Sequence, residues 1–236
     1  MRFNRNEMLI GKENSEKLKN ASVIVFGNGG VGSSAAEALA RSGIGKITLV
    51  DKDKVDVTNI NRQLLATEKT VGRNKTTVQK ERILEINPDA IVEEITCFYL
   101  PENADQIDLS KYDYIIDAID TVSAKIELAV RAENLGVPII SCMGTGNKLR
   151  PELLTVTDIY KTKVCPLCRV MRRELTKRGV SKLKVVYSEE EPIKPIGETK
   201  DGKSVPGSLP FVPPTAGFIM ASQVVLDILN ISGGKK

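Results

Sequence analysis

Short apolar runs alternate with longer amphipathic segments along the chain as far as residue 142. The run at 22–26 is apolar and β-branched and ends at a glycine, which is typical of a buried parallel strand. A helical spacing at 33–42 and a second apolar run at 47–50 complete a strand–helix–strand unit. The alternation continues with a helix at 75–86, a strand at 91–96, a strand at 114–118, a helix at 124–135 and a strand at 138–142. We therefore predict an α/β fold with a largely parallel sheet.

The C-terminal third departs from this alternation. Two short apolar runs, 153–158 and 184–187, predict additional strands of antiparallel direction, and 166–178 predicts a basic helix. Residues 189–214 are rich in Pro, Gly, Lys and Glu, so we expect a long, mobile crossover there. A last amphipathic helix is predicted at 215–229.

The first 20 residues are mostly polar and predict a short helix outside the sheet. No internal repeat or low-complexity tract interrupts the chain. We expect a single domain over 1–236, with a mostly parallel sheet, helices on both faces and extra antiparallel strands in the C-terminal third.

The composition excludes several classes of function. The chain has no histidine, which rules out Ser-His-Asp and Cys-His catalysis and histidine-ligated zinc. It has no tryptophan and few other aromatic residues, which argues against an RNA-binding module that stacks bases on aromatic rings. A formal net charge of +4 does not by itself indicate nucleic-acid binding. The polar start and the lack of a long apolar segment predict a cytoplasmic protein without membrane association.

A glycine-rich turn joins the first predicted strand to the helix after it. Its four glycines, in GxGxxG spacing, are Gly27, Gly29, Gly30 and Gly32. Glycines at these positions allow a tight turn and let backbone N–H groups approach a phosphate at the start of the helix. Asp51 follows the last glycine by 19 residues, at the end of the second strand, where a carboxylate can bind ribose hydroxyls. The motif predicts a Rossmann-like nucleotide site and leaves both NAD and ATP open.

Charged and amide side chains follow the second strand. They are Asp53, Asn59, Arg62, Gln63 and Lys75. An enzyme that cleaves ATP between its α- and β-phosphates needs positive charge on the departing pyrophosphate, whereas an NAD site needs few such cations. We therefore favour ATP as the nucleotide. The alternative is that the cations are solvated surface residues.

Two aspartates, Asp117 and Asp120, lie at the end of the buried strand at 114–118. Ligands bind at the carboxyl edge of a parallel sheet, and a carboxylate there can hold Mg²⁺ against phosphate oxygens. We predict Asp120 as the magnesium ligand because it lies further out from the strand. The alternative is that Asp120 caps the helix that follows it.

Together these motifs resemble the MoeB/ThiF/HesA superfamily, the adenylating relatives of ubiquitin-activating enzymes. The resemblance extends over residues 1–150 and includes the RFNR sequence at 2–5, the glycine turn, the NINRQ sequence at 59–63 and the DAID sequence at 117–120. It implies that the nucleotide is ATP and that a substrate carboxylate attacks the α-phosphate. The residues that it assigns to phosphate contacts are Asn59, Arg62 and Lys75.

The same resemblance implies the remaining parts of the site. Asp51 would bind the ribose and Asp120 would position Mg²⁺. Arg5 would act as an arginine finger that reaches the site of the other subunit, which implies a homodimer.

The cysteines bear on which carboxylate is activated. Members of the superfamily that activate sulfur-carrier proteins generally have two CxxC pairs that build a structural zinc site. This chain has one such pair, Cys165 and Cys168, while Cys97 and Cys142 are isolated in the sequence. Because a closed zinc site needs four ligands, we do not expect structural zinc. The pair begins the basic helix, a setting that lowers a thiol pKa, so a redox or persulfide role and no chemical role at all both stay open.

The C-terminal third resembles the branch of the superfamily that acts on threonylcarbamoyladenosine in tRNA. The matching segments are 144–149, 158–162, 169–172, 185–188 and 211–213. The resemblance implies a ligase-type enzyme that adenylates the threonylcarbamoyl carboxylate and closes it to a cyclic form. The net reaction is a dehydration that releases AMP and pyrophosphate. The alternatives are adenylation of the C-terminus of a small sulfur-carrier protein, an NAD-dependent dehydrogenase and a nucleotide-sensing scaffold.

The basic helix is the candidate tRNA contact. Residues 161–184 contain nine Lys or Arg residues and one acidic residue, Glu174. A phosphate backbone is a natural partner for such a surface, and a solvated helix face is the alternative. The predicted tRNA-binding residues are Arg169, Arg172, Arg173, Lys177 and Arg178. A sulfur-transfer protein stays open as a further partner.

Overall fold

The computed structural model describes residues 2–194, 199–200, 203–204 and 206–231. The α-helices of this part of the chain are α1 (Asn4–Ile10), α2 (Lys12–Asn20), α3 (Gly30–Ser42), α4 (Lys75–Ile86), α5 (Val122–Leu135), α6 (Pro166–Lys177) and α7 (Val212–Ile228). The strands are β1 (Ser22–Phe26), β2 (Lys46–Val50), β3 (Ile91–Ile95), β4 (Tyr114–Asp117), β5 (Ile139–Cys142), β6 (Leu154–Asp158), β7 (Lys184–Ser188), β8 (Thr199–Lys200) and β9 (Lys203–Ser204). Each predicted segment contains a helix or strand of the expected type, and the polar first segment contains two short helices rather than one.

A seven-stranded sheet of order β3-β2-β1-β4-β5-β7-β6 forms the centre of the protein. β1 pairs in parallel with β2 on one side and with β4 on the other. The α/β fold with a mostly parallel sheet is thereby confirmed. The antiparallel direction holds for β6, which runs against β7, whereas β7 itself lies parallel to β5.

Helices cover both faces of the sheet, as expected. Because successive side chains of a strand point to opposite faces, Val23 and Val25 pack with α3 and α7, and Ile24 and Phe26 pack on the side of α5. With both faces covered, β1 is apolar at every position after the first, which explains its continuous hydrophobic run. A further apolar cluster joins α5 and α6 to β7.

The order in which successive strands are added to the sheet reverses between β1 and β4, although the two strands are parallel. β1 is followed by β2 on one side of the sheet, while β4 is followed by β5 on the other side. The carboxyl ends of two such strands leave a crevice between the loops that diverge from them, and ligands of open α/β sheets bind there. Gly27 and Ala118 directly follow these two strands.

A glycine brings α7 close to the start of α3. A Cβ atom on Gly217 would lie 2.2 Å from the carbonyl oxygen of Val31, so only glycine fits at this crossing. Pro213, in the first turn of α7, is thereby held beside Gly30. This packing fixes the helix that carries the glycine turn.

The predicted crossover at 189–214 is described in part. Its residues 195–198, 201–202 and 205 lie outside the described residues, and β8 and β9 pair with each other as a separate two-stranded sheet. In the described residues, we find no helix with the length and apolar character needed to cross a membrane.

Candidate nucleotide site

A cavity of about 480 Å³ opens at the crevice between the carboxyl ends of β1 and β4. The predicted site residues that line it are Gly27, Gly29, Gly30, Asp51, Asp53, Asn59, Arg62, Gln63, Lys75 and Asp120. Segments far apart in the sequence, from residue 27 to residue 120, thus come together at one edge of the sheet.

The glycine turn is held in place by close backbone approaches. Gly27 has a φ of +85°, and a Cβ there would lie 2.7 Å from the carbonyl oxygen of Ala118. The carboxylate of Asp51 accepts hydrogen bonds from the backbone N–H of Asn28 at 2.6 Å and of Asp53 at 2.8 Å. Asp51 therefore organises the turn and also faces the cavity.

Gly32 differs from the other three glycines. It is buried and is not one of the residues that line the cavity. A Cβ at this position would lie 1.7 Å from the carbonyl oxygen of Gly27. Its contribution in this structure is the close packing of the turn against α3, and its predicted part in nucleotide binding stays a prediction.

One wall of the cavity carries the predicted cations. Lys75 begins α4, is almost fully buried and donates a hydrogen bond from Nζ to Asp53 at 3.0 Å. Arg62 donates from Nη1 to the carbonyl oxygen of Thr58 at 3.0 Å and to the side-chain oxygen of Asn61 at 2.9 Å. Hydrogen bonds therefore hold the charged ends of both side chains in place, and both residues line the cavity.

The amide side chains of this wall, Asn59 and Gln63, differ in their hydrogen bonding. Asn59 is buried, and its side-chain oxygen accepts a hydrogen bond from the N–H of Asp56, so it stabilises the local turn. The side-chain oxygen of Gln63 is buried and finds no hydrogen-bond partner in the described part of the chain. An unpaired buried acceptor beside a cavity is unfavourable unless a ligand satisfies it.

Asp117 and Asp120 differ in their exposure to solvent. Asp117 is fully buried and accepts hydrogen bonds from Lys125 at 2.8 Å, from the hydroxyl of Ser141 and from the N–H of Ile119. Asp120 is exposed and lines the cavity. The residue that precedes α5 as its N-cap is Thr121, so the alternative of Asp120 as the helix cap is not supported.

Arg5 lies away from the cavity of its own chain. It is exposed on α1, next to Asn6, whose side chain donates a hydrogen bond to the carbonyl oxygen of Arg41 near the end of α3. The glycine turn is at the opposite end of α3, a helix of 13 residues that is about 20 Å long.

One wall of the cavity is aromatic, which the sequence pattern did not predict. Phe98 and Tyr99, which follow β3, line the cavity, and the ammonium group of Lys52 lies 3.6 Å from the centre of the Phe98 ring. Thr145 and Gly146, after β5, line the opposite side. Their positions after parallel strands are the signal that could have found them, because such loops meet at the same edge.

The basic helix is less uniform than its sequence. Arg169 is exposed, but Arg172 is half-buried and donates hydrogen bonds to the backbone and side-chain oxygens of Thr162. Arg172 is therefore turned toward Thr162, and its predicted contact with tRNA stays a prediction. Glu174 forms ion pairs with Arg173, Lys177 and Arg178, the other three predicted tRNA-binding residues. These cations lower the pKa of Glu174 to about 2.

The four cysteines are free thiols, and only Cys97 is more than slightly exposed. Within the described ranges, we find no group of three or more His, Cys, Asp or Glu side chains placed to hold a metal ion.

Comparison with known proteins identifies the family. The model of the ThiF family matches residues 3–235. The chain belongs to the ThiF family. Within it, the chain is 46% identical over 240 residues to the tRNA threonylcarbamoyladenosine dehydratase of Bacillus subtilis, an alignment that covers 97% of this chain and 94% of that protein.

Two further comparisons differ in how much of this chain they cover. The crystal structure of the E. coli tRNA N6-threonylcarbamoyladenosine dehydratase in complex with ATP superimposes with a TM-score of 0.88 at 36% identity, covering 97% of this chain and 94% of that one. The sulfur carrier protein adenylyltransferase of Thermus thermophilus is 36% identical over 141 residues, 59% of this chain and 52% of that protein.

The buried pair behind the site can be tested by its effect on stability. Lys125→Met leaves the carboxylate of Asp117 buried without its cation, so we expect a loss of about 3–5 kcal/mol in the free energy of unfolding. Lys125→Met combined with Asp117→Asn should recover a large part of that loss, because the uncompensated charge is gone. Urea titration followed by circular dichroism measures both.

The matched control is Lys111→Met, which removes an exposed lysine paired with Asp108 and should leave the unfolding curve nearly unchanged. A Lys125→Met protein as stable as the parent would show that the buried pair does not hold this part of the fold.

Proposed function

We propose that this chain is an ATP-dependent enzyme that converts threonylcarbamoyladenosine in tRNA to its cyclic, dehydrated form. The observation that carries the proposal is the cavity at the end of β1 and β4, which gathers a glycine turn, anchored cations and an exposed carboxylate. The relatives that align over nearly the whole chain are dehydratases of this kind by name, and one of them is complexed with ATP.

The reaction is an adenylation followed by a ring closure. A carboxylate oxygen of the threonylcarbamoyl group attacks the α-phosphorus of ATP, the bond to the β-phosphate oxygen breaks, and pyrophosphate leaves. The carbamoyl group then attacks the activated carboxyl carbon, AMP leaves with the oxygen, and a proton passes to solvent. The nucleoside has then lost the elements of water. Neither step requires an enzyme nucleophile, which agrees with a chain that has no histidine.

The wall residues suit the two ends of ATP. The start of α3 presents N–H groups of the glycine turn to phosphate oxygens. A carboxylate has about four acceptor sites, and backbone N–H groups occupy two on Asp51, so Asp51 can still accept from ribose hydroxyls. Arg62 and Lys75 stabilise the charge on pyrophosphate as it departs.

Asp120 suits a magnesium ion that is shared with the substrate. Mg²⁺ keeps several waters and binds through one or two carboxylates together with phosphate oxygens, and Asp120 is an exposed carboxylate at the cavity. When bound, the ion would neutralise part of the phosphate charge. The role of Asp120 is to hold it on the side of the cavity opposite the cations.

The direct test is pyrophosphate release from ATP with threonylcarbamoylated tRNA, with tRNA that lacks this group and with no RNA. We expect release with the first alone, together with loss of one water from the nucleoside by mass spectrometry. Release with a sulfur-carrier protein in place of tRNA would support the alternative adenylation. That alternative has less support because the Thermus relative aligns over 59% of this chain.

Asp120→Asn keeps the shape of the side chain and removes its charge. We expect the rate of pyrophosphate release to fall about a hundredfold or more, since a ligand of the ion is lost, with an unchanged unfolding curve. Glu68→Gln, which neutralises an exposed acid outside the cavity, is the control. Full activity of Asp120→Asn would remove the metal role.

A homodimer would bring Arg5 to a cavity. Because Arg5 is carried near the far end of α3, it can serve a cavity only when that cavity belongs to a second copy of the chain. α1 also exposes Met8 and Leu9 almost completely, which is a surface that a second copy would cover.

The dimer is tested by mixing two inactive variants. Arg5→Ala and Arg62→Ala should each lower turnover strongly. A mixed dimer has one cavity with both residues intact, so coexpressed, doubly tagged heterodimers should recover about half of the parent activity per dimer if Arg5 acts on the partner. No recovery in purified heterodimers would place Arg5 in its own chain's site or remove its role.

α6 offers a surface for tRNA beside the cavity. Arg169 is exposed, and Arg173, Lys177 and Arg178 share the single carboxylate of Glu174, so the helix keeps a net positive charge. Met143, after β5, packs in one apolar cluster with Cys165, just before α6, and Thr145 and Gly146 in the same segment line the cavity. RNA bound along α6 would therefore lie next to the nucleotide.

Charge reversal on this helix should weaken tRNA binding. For Arg169→Glu with Arg173→Glu we expect at least a tenfold loss of affinity and a salt slope smaller by about 1–2, because two phosphate contacts are lost. Binding is measured by filter retention across a salt series. Lys17→Glu with Lys19→Glu on α2 is the control of equal charge change. Equal slopes in all three proteins would show that α6 is a solvated face.

Three smaller proposals complete this view. We infer a single domain over 1–236. We also infer a cytoplasmic location, where tRNA and ATP are both found. A sulfur-transfer protein stays a predicted partner.

A further inference from the structure

Two cysteines that the proposed reaction does not use lie side by side at the start of α6. Cys165 is the N-cap residue of this helix and Cys168 lies in its first turn. Residues three apart at a helix start lie on one face, which brings their Cα atoms within the range that a disulfide can span. Both are buried, with 5% and 0% of their surfaces exposed.

The surroundings of Cys165 favour a thiolate. Cys165 and Cys168 pack in one apolar cluster, and the Cys168 side chain and the backbone N–H groups of Cys168, Gly144 and Leu167 stabilise negative charge on the Cys165 sulfur. These groups outweigh burial and hold the pKa of Cys165 below its usual value. Because it stabilises this charge and is buried, Cys168 has a raised pKa and keeps its proton. The pair is thus one thiolate and one thiol in contact.

The other two cysteines lack this setting. Burial raises the pKa of Cys97, and it raises the pKa of Cys142 to about 12. Both are therefore protonated at neutral pH and unreactive as nucleophiles. Two cations lie near the pair: Lys148, which is buried and has its pKa lowered by burial, and Arg172.

We propose that Cys165 and Cys168 form a reversible dithiol–disulfide site that reacts with small hydroperoxides and that its oxidation is felt at the nucleotide cavity. The Cys165 thiolate attacks one peroxide oxygen, the O–O bond breaks, and hydroxide leaves, which gives a sulfenic acid. The Cys168 sulfur then attacks the Cys165 sulfur, its proton and the sulfenic hydroxyl leave as water, and the S–S bond forms. The two cysteines lose two electrons in all, and one hydrogen peroxide is reduced to one water and one hydroxide, which takes a proton from solvent to become a second water.

A small oxidant suits the burial of the pair. With 5% of its surface exposed, Cys165 can be reached by hydrogen peroxide more readily than by a bulky disulfide. Cys168 is already in contact with Cys165, so a sulfenic acid is resolved before further oxidation.

The link to the cavity passes through the segment after β5. Met143, which directly follows β5, packs in the same apolar cluster as Cys165 and Cys168, and the N–H of the next residue, Gly144, stabilises the anionic sulfur of Cys165. A disulfide carries no charge and is a weak acceptor, so this stabilisation ends when the pair is oxidised. Thr145 and Gly146, which line the cavity, directly follow Gly144. This part of the inference rests on the proposed function.

The test is oxidation of the intact protein with a slight excess of hydrogen peroxide at pH 7, followed by alkylation and peptide mass mapping. We expect a disulfide between Cys165 and Cys168 that dithiothreitol reverses, formed at least tenfold faster than any modification of Cys97. ATP affinity, measured by calorimetry before oxidation, after it and after reduction, should fall about tenfold and then return.

A variant of Cys168 separates the first chemical step from the second. Cys168→Ser should stop at a sulfenic acid on Cys165, which dimedone traps, and Cys97→Ser is the control for the peptide map, in which the same disulfide should form as in the parent. A pair that stays reduced while the chain is folded would overturn the proposal, and so would a disulfide that leaves ATP affinity unchanged. Failure of the reduced parent to bind ATP would instead count against the proposed function, and the peptide map still decides the disulfide.

Discussion

The carboxyl ends of β1 and β4 can meet because residue 27 has no side chain. A Cβ there would collide with the carbonyl group of Ala118, and a Cβ on Gly32 would collide with Gly27 in turn. These approaches place the start of α3 and the turn that ends in Asp120 on two sides of one cavity. Asp117 and Lys125 brace the second turn from the interior, where Lys125 also donates to the carbonyl oxygen of Ile119. The proposed phosphate side and the proposed metal side of the cavity therefore depend on one packing arrangement.

Burial gives similar residues different chemistry in this protein. Asp117 is enclosed and fully hydrogen-bonded, while Asp120, three residues later, is open to a ligand. Arg172 is turned toward Thr162, while Arg169 faces solvent. A charge withdrawn from water must be paired, and then it serves the fold, whereas an exposed charge stays available for a partner.

The segment after β5 connects three parts of the molecule. Thr145 and Gly146 line the cavity, Met143 packs with Cys165 at the start of the basic helix, and Lys148 donates to the carbonyl oxygens of Ser188 and Glu190. The cavity, the thiol pair and the basic helix therefore share one short stretch of backbone. A close-packed interior transmits strain between such neighbours.

The sequence by itself determined the α/β class, the parallel β1–β2 unit, the glycine turn and most residues around the cavity. These features follow from local periodicity and from turn chemistry, which neighbouring residues specify. The tertiary structure alone decided that Gly32 packs instead of facing the cavity, that Arg172 points inward, that Phe98 and Thr145 join the wall and that Cys165 becomes the acidic thiol. Each of these depends on atoms from distant segments, such as Ala118 or Gly144, and no pattern along the chain records which segments will meet.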